Sequence, residues 1–250
     1  TLVTAEDAVT ITALHTYSRG ANPPFAVAAS ATKVSNLDAD LLDGFEAATL
    51  LLKGTCNGRL TLTTVTPVTT ADVTAATSLY FTPYAGNHIG LYDGSAWSLV
   101  TFSELTQSLA GLAADTNYDM FGYLNAGALA LDTPLAWSSA TARATALVLQ
   151  NGVLVKSGDA TRRYLGTFRT TGTIGQCEDS LAKRFCWNYY HQKPRPMRVN
   201  EATNSWAYTT ATIRQANAST ANQLAFVVGY LEVPIHVDLL VHASNGAVDT

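Results

Sequence analysis

The sequence predicts a mainly β fold: a β-sandwich or jelly-roll-like domain with one or two short helices, preceded by a small extended module. Two observations lead to this fold class. Many short stretches rich in Thr, Val and aromatic residues alternate between apolar and polar side chains, as half-buried strands do. Turn sequences that contain Gly, Asn, Asp or Ser separate these stretches, which is typical of sandwich and jelly-roll domains.

Residues 1–54 are predicted to form an attachment or oligomerisation module. A possible strand covers residues 8–14, and residues 34–45 carry apolar side chains at spacings that suit a short helix or a turn-rich element. This segment has too few large apolar groups to build a core alone, so it must pack on the larger domain or on neighbouring chains. The chain begins with Thr1 rather than Met, which indicates a processed product or a fragment.

Residues 55–250 are predicted to form the β-rich domain. Its first strand is expected at residues 59–66. Asp93-Gly94-Ser95 and Asn125-Ala126-Gly127 are predicted turns of two hairpins, because Gly beside Asp or Asn supplies the positive φ angles of a tight turn. A short helix is expected over residues 103–109. The alanine-rich residues 138–150 favour a second helix that ends at Asn151-Gly152, although the same pair also fits the turn of a hairpin.

The second half of this domain is predicted to contain five strands. The first two include several aromatic and basic side chains, and the fourth is apolar nearly throughout, as in a strand covered on both faces. The expected strands cover residues 162–170, 183–190, 206–214, 224–233 and 235–242.

Composition argues against several classes of function. The chain has a net charge of −4 and no basic cluster, which argues against nucleic-acid binding. It contains no run of about 18 apolar residues, so no membrane span is expected. The three cysteines do not form a disulfide framework or a zinc motif. Cys177 and Cys186 could pair across a loop, but buried free thiols are the favoured interpretation.

No recognisable constellation of catalytic residues stands out. Cleavage of a glycan requires two carboxylates that face each other across a groove, and no spacing of the scattered acidic residues, such as Asp119 and Glu178, recommends such a pair. Nucleophile-elbow, phosphate-loop and metalloprotease motifs are absent from the sequence. We therefore expect a protein that is not an enzyme and that has no cofactor, no metal and no catalytic residue.

One N-terminal segment carries a family resemblance. Residues 36–44 read Asn-Leu-Asp-Ala-Asp-Leu-Leu-Asp-Gly, and this segment resembles the NLDADLLDG element of bacteriophage tail-fibre and related virion appendage proteins. Residues 152–168 and 183–190 are similar to segments of phage structural proteins. The resemblance implies a virion component, most often a homotrimer, and it transfers no catalytic residue.

The apolar residues of the same element are candidate interface residues. Side chains at such spacing meet around a threefold axis, while the intervening acids stay in water or cap local backbone N–H groups. A calcium-binding loop is the weaker interpretation of these acidic residues, because the segment lacks the glutamate that completes the calcium-binding loop of an EF-hand. The predicted oligomer-interface residues are Leu37, Leu41, Leu42 and Phe45.

A basic and aromatic stretch provides the candidate ligand site. Aromatic faces beside amide and hydroxyl groups bind sugar rings, and the predicted binding residues are Trp187, Tyr189, Tyr190 and His191. The competing and favoured interpretation is a core strand in which Phe185, Trp187 and Tyr189 face inward.

Together these observations predict a bacteriophage virion structural protein. We expect a trimeric subunit of a fibre or tail appendage that mediates particle assembly, host-surface contact or both. The alternatives are a capsid-surface decoration protein or a glycan-binding adhesin and, more weakly, a glycan depolymerase spike. The expected partners are other copies of the chain, virion proteins of the portal, tail or capsid, and a host surface glycan. The expected location is the surface of the virion, after assembly in the bacterial cytoplasm.

Overall fold

A computed structural model describes residues 53–207 and 210–230 in full and gives the backbone of two short strands before them, β1 (Leu41–Leu42) and β2 (Phe45–Glu46). The chain divides into two compact units, Thr1–Gly44 and Phe45–Thr250. The division expected after residue 54 stays a prediction. The strands expected at residues 8–14 and 235–242 lie outside the described residues.

The mainly β fold is confirmed. Among the described residues of the second unit, sixteen further strands follow, most of them joined by tight turns into antiparallel pairs. They are β3 (Gly58–Thr61), β4 (Val73–Ala76), β5 (Ser78–Pro83), β6 (His88–Tyr92), β7 (Trp97–Thr101), β8 (Leu105–Ser108), β9 (Asn117–Asn125), β10 (Ala128–Leu131), β11 (Leu135–Ala136), β12 (Leu147–Gln150), β13 (Val153–Lys156), β14 (Asp159–Arg169), β15 (Cys177–Asp179), β16 (Lys183–Arg184), β17 (Cys186–Asn188) and β18 (Ala225–Phe226).

The largest sheet is organised around β14. Its strand order is β10-β9-β14-β13-β12, with β11 paired to β9 and β17 paired to β14. The pairing of β14 with β9 shifts register between Tyr164 and Gly166, which marks a β-bulge. The bulge leaves both Tyr164 and Leu165 fully buried, in two different clusters of the core.

Three smaller sheets complete the second unit. Sheet β3-β5-β8 and hairpin β6-β7 cover one face of the large sheet, and β18-β16-β15-β4 lies beside them with one parallel pair, β16 with β18. The core between these layers is formed by aliphatic and aromatic side chains that are almost completely buried. They include Leu60, Leu79, Phe81, Ile89, Leu91, Leu109, Met120, Leu165 and Phe168.

Turn chemistry explains which hairpins form. The hairpins predicted at Asp93-Gly94 and Asn125-Ala126-Gly127 are confirmed as β6-β7 and β9-β10. Asn151 and Gly152 have φ angles of 52° and 86° and connect β12 to β13. Positive φ at both central residues is the requirement of a type I′ turn, which Asn-Gly satisfies. The helix that we favoured over residues 138–150 is therefore wrong, because turn geometry and cross-strand pairing override the helix propensity of alanine.

Other sequence-based elements also need correction. The helix expected over residues 103–109 is wrong, since β8 occupies that segment and pairs with β5. The strand expected at residues 183–190 is split into β16 and β17, which belong to different sheets. Residues 206–207 and 210–214 form no strand, and the nearest regular structure is a pair of 3₁₀ turns, Ala216–Ala218 and Thr220–Asn222.

Candidate functional site

The main cavity of the described residues lies where three sheets meet. It has a volume of about 450 Å³, which is within the usual range of ligand pockets. Strand β3 forms one wall, the ends of β15, β16 and β17 form the second, and residues 192–197 and 224–228 close the remaining sides. The cavity is thus assembled from three stretches that are distant in sequence, residues 59–69, 179–197 and 224–228.

Arg59 of β3 contributes a buried positive charge to this cavity. Its Nε donates to the carbonyl of Pro67 at 2.9 Å, and its Nη1 donates to the carbonyl of His191. No carboxylate of the described residues forms an ion pair with it. Burial lowers the pKa of Arg59 below its ordinary value, while the nearby Asp179 charge acts in the opposite direction. The guanidinium is therefore oriented by backbone carbonyls, while its charge is not neutralised.

A single carboxylate, Asp179, is shared between two arginines. Its Oδ1 accepts from Arg184 Nη1 at 2.9 Å, and its Oδ2 lies 3.1 Å from Arg195 Nη2. Arg184 also donates Nε and Nη2 to the carbonyl of Pro196, at 3.2 and 2.8 Å. Arg184 is thus held by three hydrogen bonds, whereas Arg195 has the Asp179 contact and keeps part of its side chain, 21%, exposed.

The charges around the cavity do not balance. Its lining contains four cationic side chains, Arg59, Arg184, Lys193 and Arg195, and one carboxylate, Asp179. This excess of three positive charges contrasts with the net charge of −4 of the whole chain. The cavity is therefore an electropositive site in an acidic protein.

The remaining lining is largely apolar. Trp187 of β17 and the half-exposed Leu224 and Phe226 provide apolar surface. Asn188, the next residue of β17, accepts from Leu60 N at 2.6 Å and donates to Leu60 O at 2.9 Å. Because these two bonds fix β17 against β3, the position of Trp187 in the cavity wall is also fixed.

The four ligand-binding residues predicted from sequence lie in different surroundings. Trp187 lines the cavity, while Tyr189 packs in an aromatic cluster with Tyr164, Tyr190 and Tyr230. Tyr190 accepts a hydrogen bond from Arg163, and its burial raises the pKa of the phenol to about 12. His191 forms a hydrogen bond from Nε2 to the carbonyl of Cys56 at 2.8 Å. Of these four residues, Trp187 is the one that the structure places in the cavity, and their role in binding stays a prediction.

The competing interpretation, a core strand with inward-facing aromatic residues, also stays a prediction. Phe185 is 6% exposed and packs in the main core, whereas Trp187 and Tyr189 are half-buried and pack against a separate aromatic group. The predicted interface residues lie outside what can be described: Leu37 is outside the described residues, and only the backbone is given for Leu41, Leu42 and Phe45.

A second polar cluster lies in the large sheet, and we call it the Asp119 network. Asp119, which is 1% exposed, accepts from Arg143 Nε at 2.6 Å and from the Thr167 hydroxyl at 2.6 Å. The Tyr164 hydroxyl bonds to Thr167, and Arg143 also donates to the carbonyl of Gly229. Burial and the Asp119 charge raise the pKa of Tyr164. One cation and one anion neutralise each other here, so the network is a structural link between β9, β14 and residue 229.

The cysteines do not provide a nucleophile under ordinary conditions. All three are free thiols, as the favoured interpretation predicts, with Cys56 and Cys177 buried and Cys186 partly buried. Burial raises the pKa of Cys56 to about 11 and that of Cys186 to about 12, and it also raises the pKa of Cys177. At neutral pH these thiols stay protonated, and the thiolate is the reactive form.

The described part of the chain offers neither a cluster of metal ligands nor a helix that could span a membrane. No group of three or more His, Cys, Asp or Glu side chains that could hold a metal ion occurs among residues 53–207 and 210–230. Across the same residues, no helix has the length and hydrophobicity needed to cross a bilayer.

The sequence analysis missed the arginines and the aspartate of the cavity. Arg59 lies in the strand predicted at residues 59–66, and the sequence patterns assign no role to Asp179 or Arg195. The concentration of basic residues in one part of the sequence could have indicated this cavity. Five of the 15 Lys and Arg residues fall within residues 183–198 of a chain that is otherwise poor in charge: Lys183, Arg184, Lys193, Arg195 and Arg198.

Comparison with protein-family models, with curated proteins and with solved structures finds no match to this chain in any of the three.

Proposed function

We propose that the chain is a structural subunit of a bacteriophage fibre or tail appendage, that it assembles as a homotrimer, and that it contacts the host surface. The observation that carries the proposal is the segment at residues 36–44, with its resemblance to virion appendage proteins, next to a β-rich domain of low charge. Only 14% of the residues are charged, so many copies can pack closely with little mutual repulsion.

The cavity supports a binding role for the β-domain. Its lining combines apolar residues, among them Trp187, with amide and guanidinium groups, which suits recognition of a polar ring. Among the described lining residues there is one carboxylate, and two arginines already hold it. Glycoside cleavage requires a second carboxyl group about 5–9 Å from the first. We therefore favour recognition over catalysis, and a host-surface adhesin over a depolymerase.

The location of the chain is tested by imaging intact particles. Gold-labelled antibodies raised against the purified protein are added to phage particles, and negative-stain micrographs are scored for label at the tail, at the capsid surface or at neither. We expect label on a tail appendage. Label spread over the capsid would replace this proposal with the decoration protein, and unlabelled particles would refute a virion location.

The assembly state is tested by light scattering coupled to size-exclusion chromatography. We expect a species with three times the 26.5 kDa mass of the chain at micromolar concentration. The double variant Leu41→Ala/Leu42→Ala should shift the protein toward monomer, because each buried leucine contributes roughly 1.5–3 kcal/mol per chain and a symmetric interface repeats the loss in every subunit.

The control for the assembly test is Val65→Ala, which removes apolar atoms from a side chain that is 77% exposed. It should leave the mass unchanged. A wild-type protein that remains a 26.5 kDa monomer at these concentrations would contradict the trimer.

A further inference from the structure

We propose that the cavity binds a carboxylated saccharide, with a sugar ring against Trp187 and its carboxylate beside Arg195 and Lys193. This inference rests on the proposed host-surface role and names the class of ligand that the site recognises. Two independent properties of the cavity support it: the sign of its charge and the nature of its walls.

The charge argument begins with the uncompensated cations. The lining contains four cationic side chains and one carboxylate, Asp179, which two of the arginines share, so the lining has a net excess of three positive charges. Partly buried charges are weakly screened by salt, and a cavity that concentrates one sign attracts a ligand of the opposite sign. A neutral sugar would leave this excess in place, whereas an anionic ligand reduces it.

The hydrogen-bond geometry indicates which cations remain free for a ligand. Arg59 and Arg184 are fixed by backbone carbonyls of Pro67, His191 and Pro196. Arg195 contacts Asp179 through Nη2 and stays 21% exposed, and among the described residues its other N–H donors form no hydrogen bond. Lys193 is exposed, and its ammonium lies 5.3 Å from the centre of the Tyr84 ring. A carboxylate suits the planar arginine fork especially well, because it accepts two parallel hydrogen bonds.

The volume and the apolar lining of the cavity favour a saccharide over a small inorganic anion. A phosphate or sulfate ion needs only the cations, and it would leave a cavity of about 450 Å³ largely empty. The half-exposed Leu224 and Phe226, together with the part of Trp187 that lines the cavity, give the site an apolar side that the C–H faces of a sugar ring can cover. Gln192, which is exposed at the same wall, offers an amide for ring hydroxyls.

The inference is tested with a glycan array that carries galacturonate, glucuronate and sialate oligosaccharides beside their methyl esters. An ester keeps the ring and removes the charge, so each pair isolates the contribution of the carboxylate. We expect binding to acidic members and at least about tenfold weaker binding to their esters, since a hydrogen bond to a charged group is worth about one tenfold step or more. Equal binding to both forms, or binding to no acidic member, overturns the inference.

Variants then locate the site by calorimetric titration with the best acidic oligosaccharide. Arg195→Gln and Lys193→Gln should each weaken binding by about tenfold. Arg198→Gln is the matched control, because it removes the same charge from the same segment without touching the cavity lining. If Arg198→Gln weakens binding as much as Arg195→Gln, the attraction is a general surface effect and the proposed site is wrong.

Trp187→Leu tests the ring-stacking part of the inference. It keeps an apolar wall and removes the aromatic face, so saccharide binding should weaken while inorganic phosphate, titrated separately, binds as before. If phosphate displaces the saccharide at equal concentration and Trp187→Leu changes nothing, the cavity is an anion site without sugar recognition and the inference fails. Failure of the array together with antibody label on the appendage would overturn this inference and leave the proposed function standing.

Discussion

The Asp119 network and the cavity contain the same kinds of side chain but balance their charges differently. In the network, one carboxylate faces one guanidinium, and Thr167, Tyr164 and the Gly229 carbonyl accept or donate the remaining bonds. In the cavity, Asp179 is divided between Arg184 and Arg195, while Arg59 is held by backbone carbonyls. The positive and negative charges balance in the Asp119 network, whereas the lining of the cavity retains an excess of positive charge.

The difference separates structural polar groups from groups that remain available to a ligand. A buried ion pair whose atoms are all engaged stabilises the position of the strands that carry it, and removal of one partner leaves an uncompensated charge. A partly exposed cation beside a shared carboxylate contributes less to folding and keeps donors for another molecule. Substitutions at the two sites should therefore affect different measurements.

The largest effect is expected for Asp119→Ala. The change leaves Arg143 without its counter-ion and Thr167 without its acceptor, so the free energy of unfolding should fall by about 3–5 kcal/mol. Urea unfolding followed by tryptophan fluorescence measures this loss. The control is Asp115→Asn, which removes a carboxylate that is 68% exposed and 3.6 Å from Arg169 but keeps a side chain that tolerates the φ of 50° at this position, and which should cost no more than about 1 kcal/mol. Equal losses in the two variants would show that the Asp119 network contributes no special stability.

An intermediate effect is expected for Gly229→Ala. A Cβ atom at this position would overlap the Tyr164 and Thr167 hydroxyl oxygens and come within 2.6 Å of the Trp187 ring. Overpacking of this kind costs about 1–3 kcal/mol, and it should also disturb ligand binding because Trp187 forms part of the cavity wall.

The matched control for Gly229→Ala is Gly172→Ala, where the nearest atom to the added carbon is Asp115 Oδ2 at 3.6 Å, an ordinary contact. Its melting temperature should stay close to that of the wild type. A Gly229→Ala protein as stable as this control would mean that residue 229 is not packed on the Asp119 network.

The smallest effect on stability is expected for Arg195→Gln. Asp179 keeps its 2.9 Å bond to Arg184 and so keeps a counter-ion, and the free energy of unfolding should fall by only about 0.5–1.5 kcal/mol. Arg184→Gln provides the comparison, because it removes three hydrogen bonds and should destabilise the protein more. If Arg195→Gln proves the more harmful of the two, Arg195 is a structural residue, and its role as a free donor in the cavity is wrong.

Sequence patterns were sufficient for the local features of this fold. Alternation of Thr, Val and aromatic residues predicted the β class, and Asp93-Gly94 and Asn125-Ala126-Gly127 predicted two hairpins, because both signals depend on neighbours within a few residues. The alanine-rich stretch before β13 was misread as a helix. Its conformation is set by pairing with a strand that follows it, and this contact prevails over intrinsic propensity.

The sequence by itself determined the net charge, the number of cysteines and the position of the aromatic and basic stretch around Trp187. Together with the strand patterning, it predicted an acidic β-protein. Only the tertiary structure decided that Trp187 shares a cavity with Arg59, Asp179 and Arg195. Arg59 and Asp179 are 120 positions apart, and they are brought together by antiparallel pairing and by the Asn188 bridge to β3. Contacts between distant segments arise from the packing of whole sheets, and residue periodicity within one strand does not encode which sheet will lie beside it.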